Sequence, residues 1–405
     1  MDLIIIAQRS GLRCGLWQYH HWQRLMKAYK TRLEPNNKQR TFFNRCAGTS
    51  RYVYNWGLAE WQRQYEAYKL NNDLKRPSRY GLCAQFNAIK DDLCPWVREV
   101  PYAVTETAFE SLGRAFDNFF RNIKQGNTPG YPKFKNRYMS RKFRLRGIKP
   151  RDDRVYIPKL GEVRMSERDY IPVGAEYGIY SALSERAGYW YISVLVKDEE
   201  DITAELSNNV LGVDFGIKEL ATISNGKVFE NPRALNEAET KLKRLQRELS
   251  RRTKGGENYA KTKLKLARAH ATVSDVRSFT LHQVSDYLTA KCKPSAIVIE
   301  DLNVSGMMKN HHLARAVSDV SFNELRQQIE YKAKRHGIEV IIADRWFPSS
   351  KTCHNCGAIK SDLKLSDRTY VCGDCGFTLD RDLNAALNLA AYGMNRQTGG
   401  DCLGS

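Results

Sequence analysis

The chain has 405 residues, 42% of them hydrophobic, enough to bury sizeable cores and to exclude wholesale disorder. Its 65 Lys and Arg exceed its 45 Asp and Glu by 20, a surplus that calls for a polyanionic partner: DNA, RNA or an acidic membrane surface. No apolar run approaches the roughly 18 residues of a transmembrane helix, and the apolar start at residues 3–7 is too short for a signal peptide, so an intracellular protein without a membrane partner is expected.

Residues 1–25 show no clear period and concentrate Trp17, His20, His21 and Trp22; they read as an N-terminal extension upstream of a start at Met26. Residues 26–33 alternate like a strand and stop before Pro35. Residues 37–125 read as mostly helical. Within them Phe109, Leu112, Phe116, Phe119 and Ile123 recur at spacings of three and four, an apolar stripe that packs a bundle.

A loop at 126–130, Gly-Asn-Thr-Pro-Gly, changes the pattern. Residues 131–151 carry nine Lys or Arg and no acid, including Lys133, Lys135, Arg137, Arg141, Lys142 and Arg144, the nucleic-acid-binding candidates. Tyr131, Phe134, Tyr138 and Phe143 lie between them, as rings able to stack bases. Strand-like runs follow at 155–157, 162–165, 179–183 and 190–196. They suggest a small β-barrel whose first strand is 26–33, with the helices inserted.

From Val210 the pattern is α/β, with buried-strand runs at 210–215, 296–300 and 339–343. Residues 241–270 hold eleven Lys or Arg against two acids and are broken by Gly255-Gly256, which predicts a helical hairpin. Residues 321–336 predict an amphipathic helix through Phe322, Leu325, Ile329 and Tyr331.

Six of the ten cysteines are scattered, but Cys353, Cys356, Cys372 and Cys375 form two Cys-x-x-Cys knuckles separated by 15 residues. Four thiolates at that spacing surround one Zn²⁺ and leave no open position, so the zinc is structural. Gly357 and Gly376 follow the second cysteine of each knuckle, where the backbone must turn tightly. A second constellation is acidic: Asp214 in Gly-Val-Asp-Phe-Gly, Glu300 at a strand end, and Asp380 and Asp382 at a helix start. Hard divalent cations need several such oxygens. Two Mg²⁺ about 4 Å apart, bridged by carboxylates, support phosphodiester cleavage. Nucleophile-elbow, Walker A and zincin motifs are absent from the sequence.

The order of these pieces, Gly-Val-Asp214-Phe-Gly, Ile-Glu300-Asp-Leu, Cys353 to Cys375 and Asp380-Arg-Asp382-Leu-Asn-Ala-Ala, resembles the TnpB (OrfB-type) proteins of insertion sequences, relatives of the smaller type V CRISPR effectors. Arg51-Tyr-Val-Tyr-Asn55, Gly130-Tyr-Pro-Lys-Phe134 and Phe347-Pro-Ser-Ser-Lys-Thr-Cys353 add to the resemblance, which covers 26 to about 392. It implies a transposon-encoded, RNA-guided, metal-dependent DNA endonuclease. The implied fold is multidomain α+β, an N-terminal β-barrel (26–36 and 126–205) with a helical insertion (37–125), then an RNase H-like RuvC core (206–350 and 379–395) carrying a zinc ribbon (351–378), and a tail from 396. By motif match, Asp214, Glu300 and Asp382 are the nuclease acids and Mg²⁺ ligands, with Asp380 a weaker candidate. The implied partners are a guide RNA from the transposon end and double-stranded target DNA, acting in a prokaryotic cytoplasm at the nucleoid, with a monomer favoured. A non-cutting transposition accessory protein and a nuclease-dead guided repressor are the competing readings; retention of all three acids argues against the repressor.

Overall fold

The computed structural model describes residues 26–137, 141–197, 205–364 and 367–397. The expectations for residues 1–25 and for the tail beyond 397 lie outside the described residues. The chain divides into two compact units, the first ending at Glu199 and the second beginning at Glu200.

The first unit opens with β1 (Met26–Leu33), and Asn36 then starts helix α1 (Asn37–Leu70). Asn36 and Gln39 cap each other reciprocally, each side chain taking the other's backbone N–H at 2.9 Å, which satisfies two donors that a helix start leaves free. Helices α2 (Arg79–Leu93) and α3 (Tyr102–Lys124) follow, separated by a short 3₁₀ turn at Pro95–Glu99. Six strands complete the unit: β2 (Lys142–Leu145), β3 (Lys149–Pro150), β4 (Arg154–Ile157), β5 (Gly161–Arg164), β6 (Ser181–Arg186) and β7 (Tyr189–Lys197).

They form two antiparallel sheets, β1-β7-β6-β2 and β3-β4-β5, joined by a bridge between Leu33 and Met165. Leu33 to Met26 pair with Trp190 to Lys197, so the first strand of the unit closes against its last. Both sheets share one core with the start of α1: Leu145, Ile157, Leu183 and Ile192 are fully buried, and the Phe43 ring sits 5.0 Å from Trp190. A second core, of Val53, Leu58, Phe86, Phe109, Leu112 and Phe116, holds the three helices together. The apolar stripe of α3 is buried through Phe116 and partly covered at Phe119, but Ile123 is exposed. Periodicity defines a helix face without saying how far along it the neighbours reach.

The second unit is built on β8 (Ser207–Phe215), β9 (Glu219–Ile223), β10 (Val228–Glu230), β11 (Pro294–Glu300) and β12 (Glu339–Ala343) in the order β10-β9-β8-β11-β12. β8, β11 and β12 run parallel, β9 is antiparallel to β8, and β10 is antiparallel to β9. Parallel central strands need cover on both faces, which explains their nearly unbroken apolar sequences. Helix α4 (Ala234–Ser250) and the long α5 (Glu257–Asp286) form the hairpin expected around Gly255-Gly256. After β11 come α6 (Val304–Met307), α7 (His311–Val320) and α8 (Phe322–His336). Phe322, Leu325 and Ile329 of α8 are buried, whereas Tyr331 points to solvent.

One sheet face carries Leu211, Val213, Ile297 and Ile299 against α5, α7 and α8. The other carries Val210, Ala296 and Val298 against the last helix, α9 (Arg381–Gln397), through Leu389. Between β12 and α9 lie the two cysteine knuckles and a small hairpin of β13 (Thr369–Val371) and β14 (Thr378–Asp380). No helix among the described residues is long and apolar enough to cross a membrane.

Candidate active site and metal centre

Side chains alternate along a strand, so the residues facing α9 on β8 are Val210, Gly212 and Asp214, and on β11 they are Ala296, Val298 and Glu300. The parallel register sets Gly212 beside Val298 and Val213 beside Ile299, so Asp214 and Glu300 end adjacent strands on the same face. Helix α9 crosses that face, and its first turn carries Asp382. Three carboxylates distant in sequence therefore come together at the C-terminal end of the two central strands.

Their electrostatics record the crowding. Asp214 is held well above the usual carboxylate range, first by burial and then by the charges of Glu300 and Asp382, against a smaller opposing pull from Arg381. Burial also raises Glu300, against the Ser349 hydroxyl and Arg381. Asp382 is raised by burial and by Asp380, with Arg368 and Arg381 opposing. The Ser349 hydroxyl donates to Oε1 of Glu300, and Arg368 stands 3.8 Å from Asp382. Asp380, the weaker candidate, has a different task. Its Oδ1 accepts the backbone N–H groups of Asp382 and Leu383, both at 3.0 Å, and so caps α9.

An all-oxygen set of three partly buried carboxylates, each favouring protonation, suits hard divalent cations that would relieve the repulsion. Among the described residues, only the four cysteines form a group of three or more whose ligand atoms all lie within 4.8 Å of one another. The carboxylates are neighbours rather than a closed cage.

The cysteine group is closed. Sγ of Cys353 lies 3.7 Å from that of Cys375, and Cys356 lies 3.6 Å from Cys372. Zn–S bonds of about 2.3 Å in a tetrahedron require S···S edges of about 3.8 Å, so the set fits zinc. The two knuckles repeat one turn: Cys353 N–H donates to the Ala358 carbonyl and Cys372 N–H to that of Phe377, each at 2.8 Å. Gly357 and Gly376 take φ of +77° and +69° with open space around them, so backbone conformation rather than room demands glycine. The Phe377 N–H and the Asn355 amide stabilise the Cys375 thiolate, lowering its pKa to about 6.

Two residues that the sequence reading passed over join the centres. Asn384 and Asn388, one turn apart on α9, are both buried. Asn384 donates to the Thr352 carbonyl at 2.8 Å and accepts the His354 N–H at 3.1 Å. Asn388 donates to the carbonyls of Ser349 at 2.8 Å and Thr352 at 2.7 Å. A continuous polar chain thus runs from the first knuckle through α9 to Ser349 and Glu300. Buried asparagines on an otherwise apolar helix face were the available signal.

In the first unit the basic segment divides. Arg141 lies 3.8 Å from Glu185, Arg144 3.7 Å from Glu110, and Arg146 2.8 Å from Glu106. Arg151 pairs with Glu162. The segment without acids is met by acids brought from elsewhere. Lys133 and Arg137 are exposed. Lys135 is clamped, its backbone bonded both ways to the Asn55 amide at 2.8 Å and its ammonium 3.7 Å from the centre of the Tyr54 ring. Burial, then Lys142, lowers its pKa. Arg51, Lys135, Arg141 and Lys142 line one cavity of about 360 Å³, so Arg51 of helix α1 meets the basic segment there.

Comparison with known proteins agrees with this construction. A family described as "Probable transposase" (OrfB_IS605) matches residues 193–311, and a "Cas12f1-like, TNB domain" matches 322–389. A "Helix-turn-helix domain" family of the same group matches 26–69, although here that stretch is one strand and a single unbroken helix. The "Putative RNA-guided DNA endonuclease" of Streptomyces pristinaespiralis is 34% identical over 94% of this chain and 92% of its own length. The "Putative RNA-guided DNA endonuclease InsQ" of Escherichia coli is 32% identical over 91% and 92%. The fold is similar to that in "Cryo-EM structure of the Cas12f1-sgRNA-target DNA complex", with a TM-score of 0.51 at 15% identity, covering 88% of this chain and 83% of that one. Identity above 30% across nine-tenths of both chains settles the relationship: this protein belongs to the TnpB (OrfB, IS605-type) family.

Proposed function

We propose that the chain is an RNA-guided, divalent-metal-dependent DNA endonuclease encoded by an insertion-sequence transposon. The observation that carries the reading is the placement of Asp214 and Glu300 side by side on adjacent parallel strands, beneath a helix whose first turn brings Asp382. Relatives alike over nearly the whole chain are named as RNA-guided DNA endonucleases. We read the second unit as an RNase H-like RuvC core, 206–350 and 379–395, with a zinc ribbon at 351–378. We read the two sheets of the first unit as a β-barrel with a helical insertion at 37–125.

Asp214, Glu300 and Asp382 would supply the oxygens for Mg²⁺, and Cys353, Cys356, Cys372 and Cys375 would hold the zinc. The chemistry that Mg²⁺ would supply there is activation of water and neutralisation of the leaving oxygen in phosphodiester cleavage. The protein's contribution is placement. The sheet fixes Asp214 and Glu300, the Asp380 cap fixes the turn bearing Asp382, and Ser349 orients Glu300 through the hydrogen bond it donates. The basic cavity around Arg51, Lys135 and Lys142 grips RNA or DNA phosphates without reading sequence, which is left to guide–target pairing.

The test is to purify the protein with its co-purifying RNA, sequence that RNA, and assay a matched plasmid library in Mg²⁺ and in chelator. Guided cutting that disappears with Asp214→Ala is the expected result. RNA-dependent binding without any cutting turns the reading into that of a guided repressor, and binding to DNA with no RNA present turns it into that of an accessory protein.

A further inference from the structure

Trp346 is 85% exposed, the most solvent-open tryptophan among the described residues. An indole left in water on a mobile loop would carry little meaning, but this one stands on a fixed pedestal. Its backbone N–H donates to Oδ1 of Asp344 at 2.8 Å, and the next N–H, of Phe347, donates to the Asp344 carbonyl at 3.0 Å. On one side Arg345 pairs with Asp301. On the other the Phe347 ring packs 4.9 Å from Tyr392 of α9. Lys351 and Thr352 N–H groups then close the turn on the Pro348 carbonyl, both at 3.0 Å. The ring is presented, not stranded.

What it faces is defined by a recess beside Glu300. Trp346 lines a recess of about 470 Å³ whose wall includes Glu300, Asn303, Arg345, Ser349 and Lys351. Leu302, Ala343, Phe347, Pro348 and Leu389 also line it, but none of them is exposed, so Trp346 is the one exposed apolar side chain of the lining and no apolar patch of protein-docking size surrounds it. One exposed flat ring beside ionic groups suits a ligand with a π-face and a charged backbone, which describes an unpaired nucleotide.

We propose that Trp346 is a stacking platform for an unpaired base of the DNA strand entering the carboxylate site. The proposal rests on the nuclease reading for the direction of the strand, but the stacking itself is separable from it. The bases inside a duplex offer no free face, so the occupant is single-stranded DNA, separated from its complement before its phosphate reaches Glu300. The platform sets the position of one nucleotide against the site and carries no base preference, because every base has a stacking face.

The experiment uses the full chain and a single-stranded oligonucleotide carrying 2-aminopurine, titrated without divalent metal so that no strand is cut. Cleavage of matched target in Mg²⁺ is measured alongside. Stacking quenches the probe. Wild type and Trp346→Phe are expected to quench it, and Trp346→Ala to bind the oligonucleotide roughly 5- to 150-fold more weakly with the quench lost. The cleavage rate at limiting target should fall with affinity, while the melting temperature and zinc content of the exposed-site variant stay at wild-type values. Trp346→Ala that quenches as wild type does overturns the platform. So does a variant whose only change is in self-association, which would make the indole a protein contact. Failure of wild type to cut in Mg²⁺ counts against the nuclease reading alone, because the quench still decides the platform.

Discussion

Gly212 on β8 lies directly against Ala386 on α9: a Cβ at Gly212 would stand 2.0 Å from the Ala386 carbonyl oxygen and 2.4 Å from the Ala390 nitrogen. Gly393 repeats the arrangement two turns later, where a Cβ would meet Val298 at 2.5 Å and Val210 at 2.8 Å. The missing side chains let the helix backbone settle onto the sheet. Gly212 is two residues before Asp214, and Ala386 is one turn after Asp382, so this contact determines how closely the two carboxylates approach.

Gly212→Ala therefore tests the geometry of the site without touching a carboxylate. The obstruction is backbone, which cannot rotate away, so α9 must lift. Overpacking of this kind costs about 1–3 kcal/mol. Melting should show that loss, and Mg²⁺-dependent cleavage should fall at least about tenfold, more than the folded fraction alone explains. A variant that cuts at the wild-type rate would detach α9 seating from catalysis.

The raised carboxylates predict a pH dependence of stability in metal-free protein. Asp214 has a folded pKa above its unfolded value near 3.9, so the folded state binds the extra proton between the two. Its contribution is thus neutral below the unfolded value, becomes a penalty that grows between the two values, and is complete above the folded one. Asp214→Asn removes that penalty. The variant should melt higher than wild type in chelator at neutral pH, with the difference shrinking as pH falls toward 4. Mg²⁺ should raise the melting temperature of wild type and leave the variant nearly unchanged. Thermal melts across pH, with and without Mg²⁺, check this; a difference that widens on acidification would reverse the sign.

Zinc loss should reach the carboxylates. The four cysteines supply folding free energy on the order of 10 kcal/mol when such sites stand alone. Here the first knuckle is tied to α9 by Asn384, through Thr352 and His354. Cys372→Ser should lower zinc below the expected one per chain, destabilise the second unit and abolish cutting. Asn388→Ala should keep its zinc yet leave the Ser349 and Thr352 carbonyls short of their donor, costing about 1–3 kcal/mol. Metal analysis beside melting and cleavage separates the two; equal zinc loss in both variants would merge ribbon and helix into a single unit.

Much of this was legible in sequence because the physics was local. The apolar runs at 210–215, 296–300 and 339–343 are strands because two covered faces demand unbroken hydrophobicity, and the cysteine spacing states its geometry outright. The β9–β10 hairpin was missed although Asn225-Gly226 marks its turn, with Gly226 at φ +85°. Short strands flanked by polar residues do not stand out by hydrophobicity. Ser349, Asn384 and Asn388 received no role from the sequence because that role is set by partners distant in it, Glu300 and the Thr352 turn; asparagines on an apolar helix face hint at a buried partner without naming it. The same non-locality misled the charge count at 131–151, where Glu106, Glu110, Glu162 and Glu185 arrive from other elements.

That division of the basic segment gives the last prediction. Lys142 is exposed and lines the cavity with Arg51 and Lys135, whereas Arg144 faces Glu110, with both partners about one-third exposed. If the cavity holds a nucleic-acid phosphate, Lys142→Ala removes a released counterion. The slope of log affinity against log salt for single-stranded RNA should then fall by about 0.7. Arg144→Ala removes a partly screened ion pair, worth at most about 1 kcal/mol of stability, and should leave the salt slope unchanged. Both variants keep the backbone clamp between Asn55 and Lys135, so the segment stays in place. The measurement is a binding series from low to high salt, with a melt of each variant. An equal fall in slope for the two substitutions would mean that the ion pair with Glu110 opens on binding and that both cations reach phosphate. An unchanged slope for Lys142→Ala would remove the cavity from the nucleic-acid path altogether.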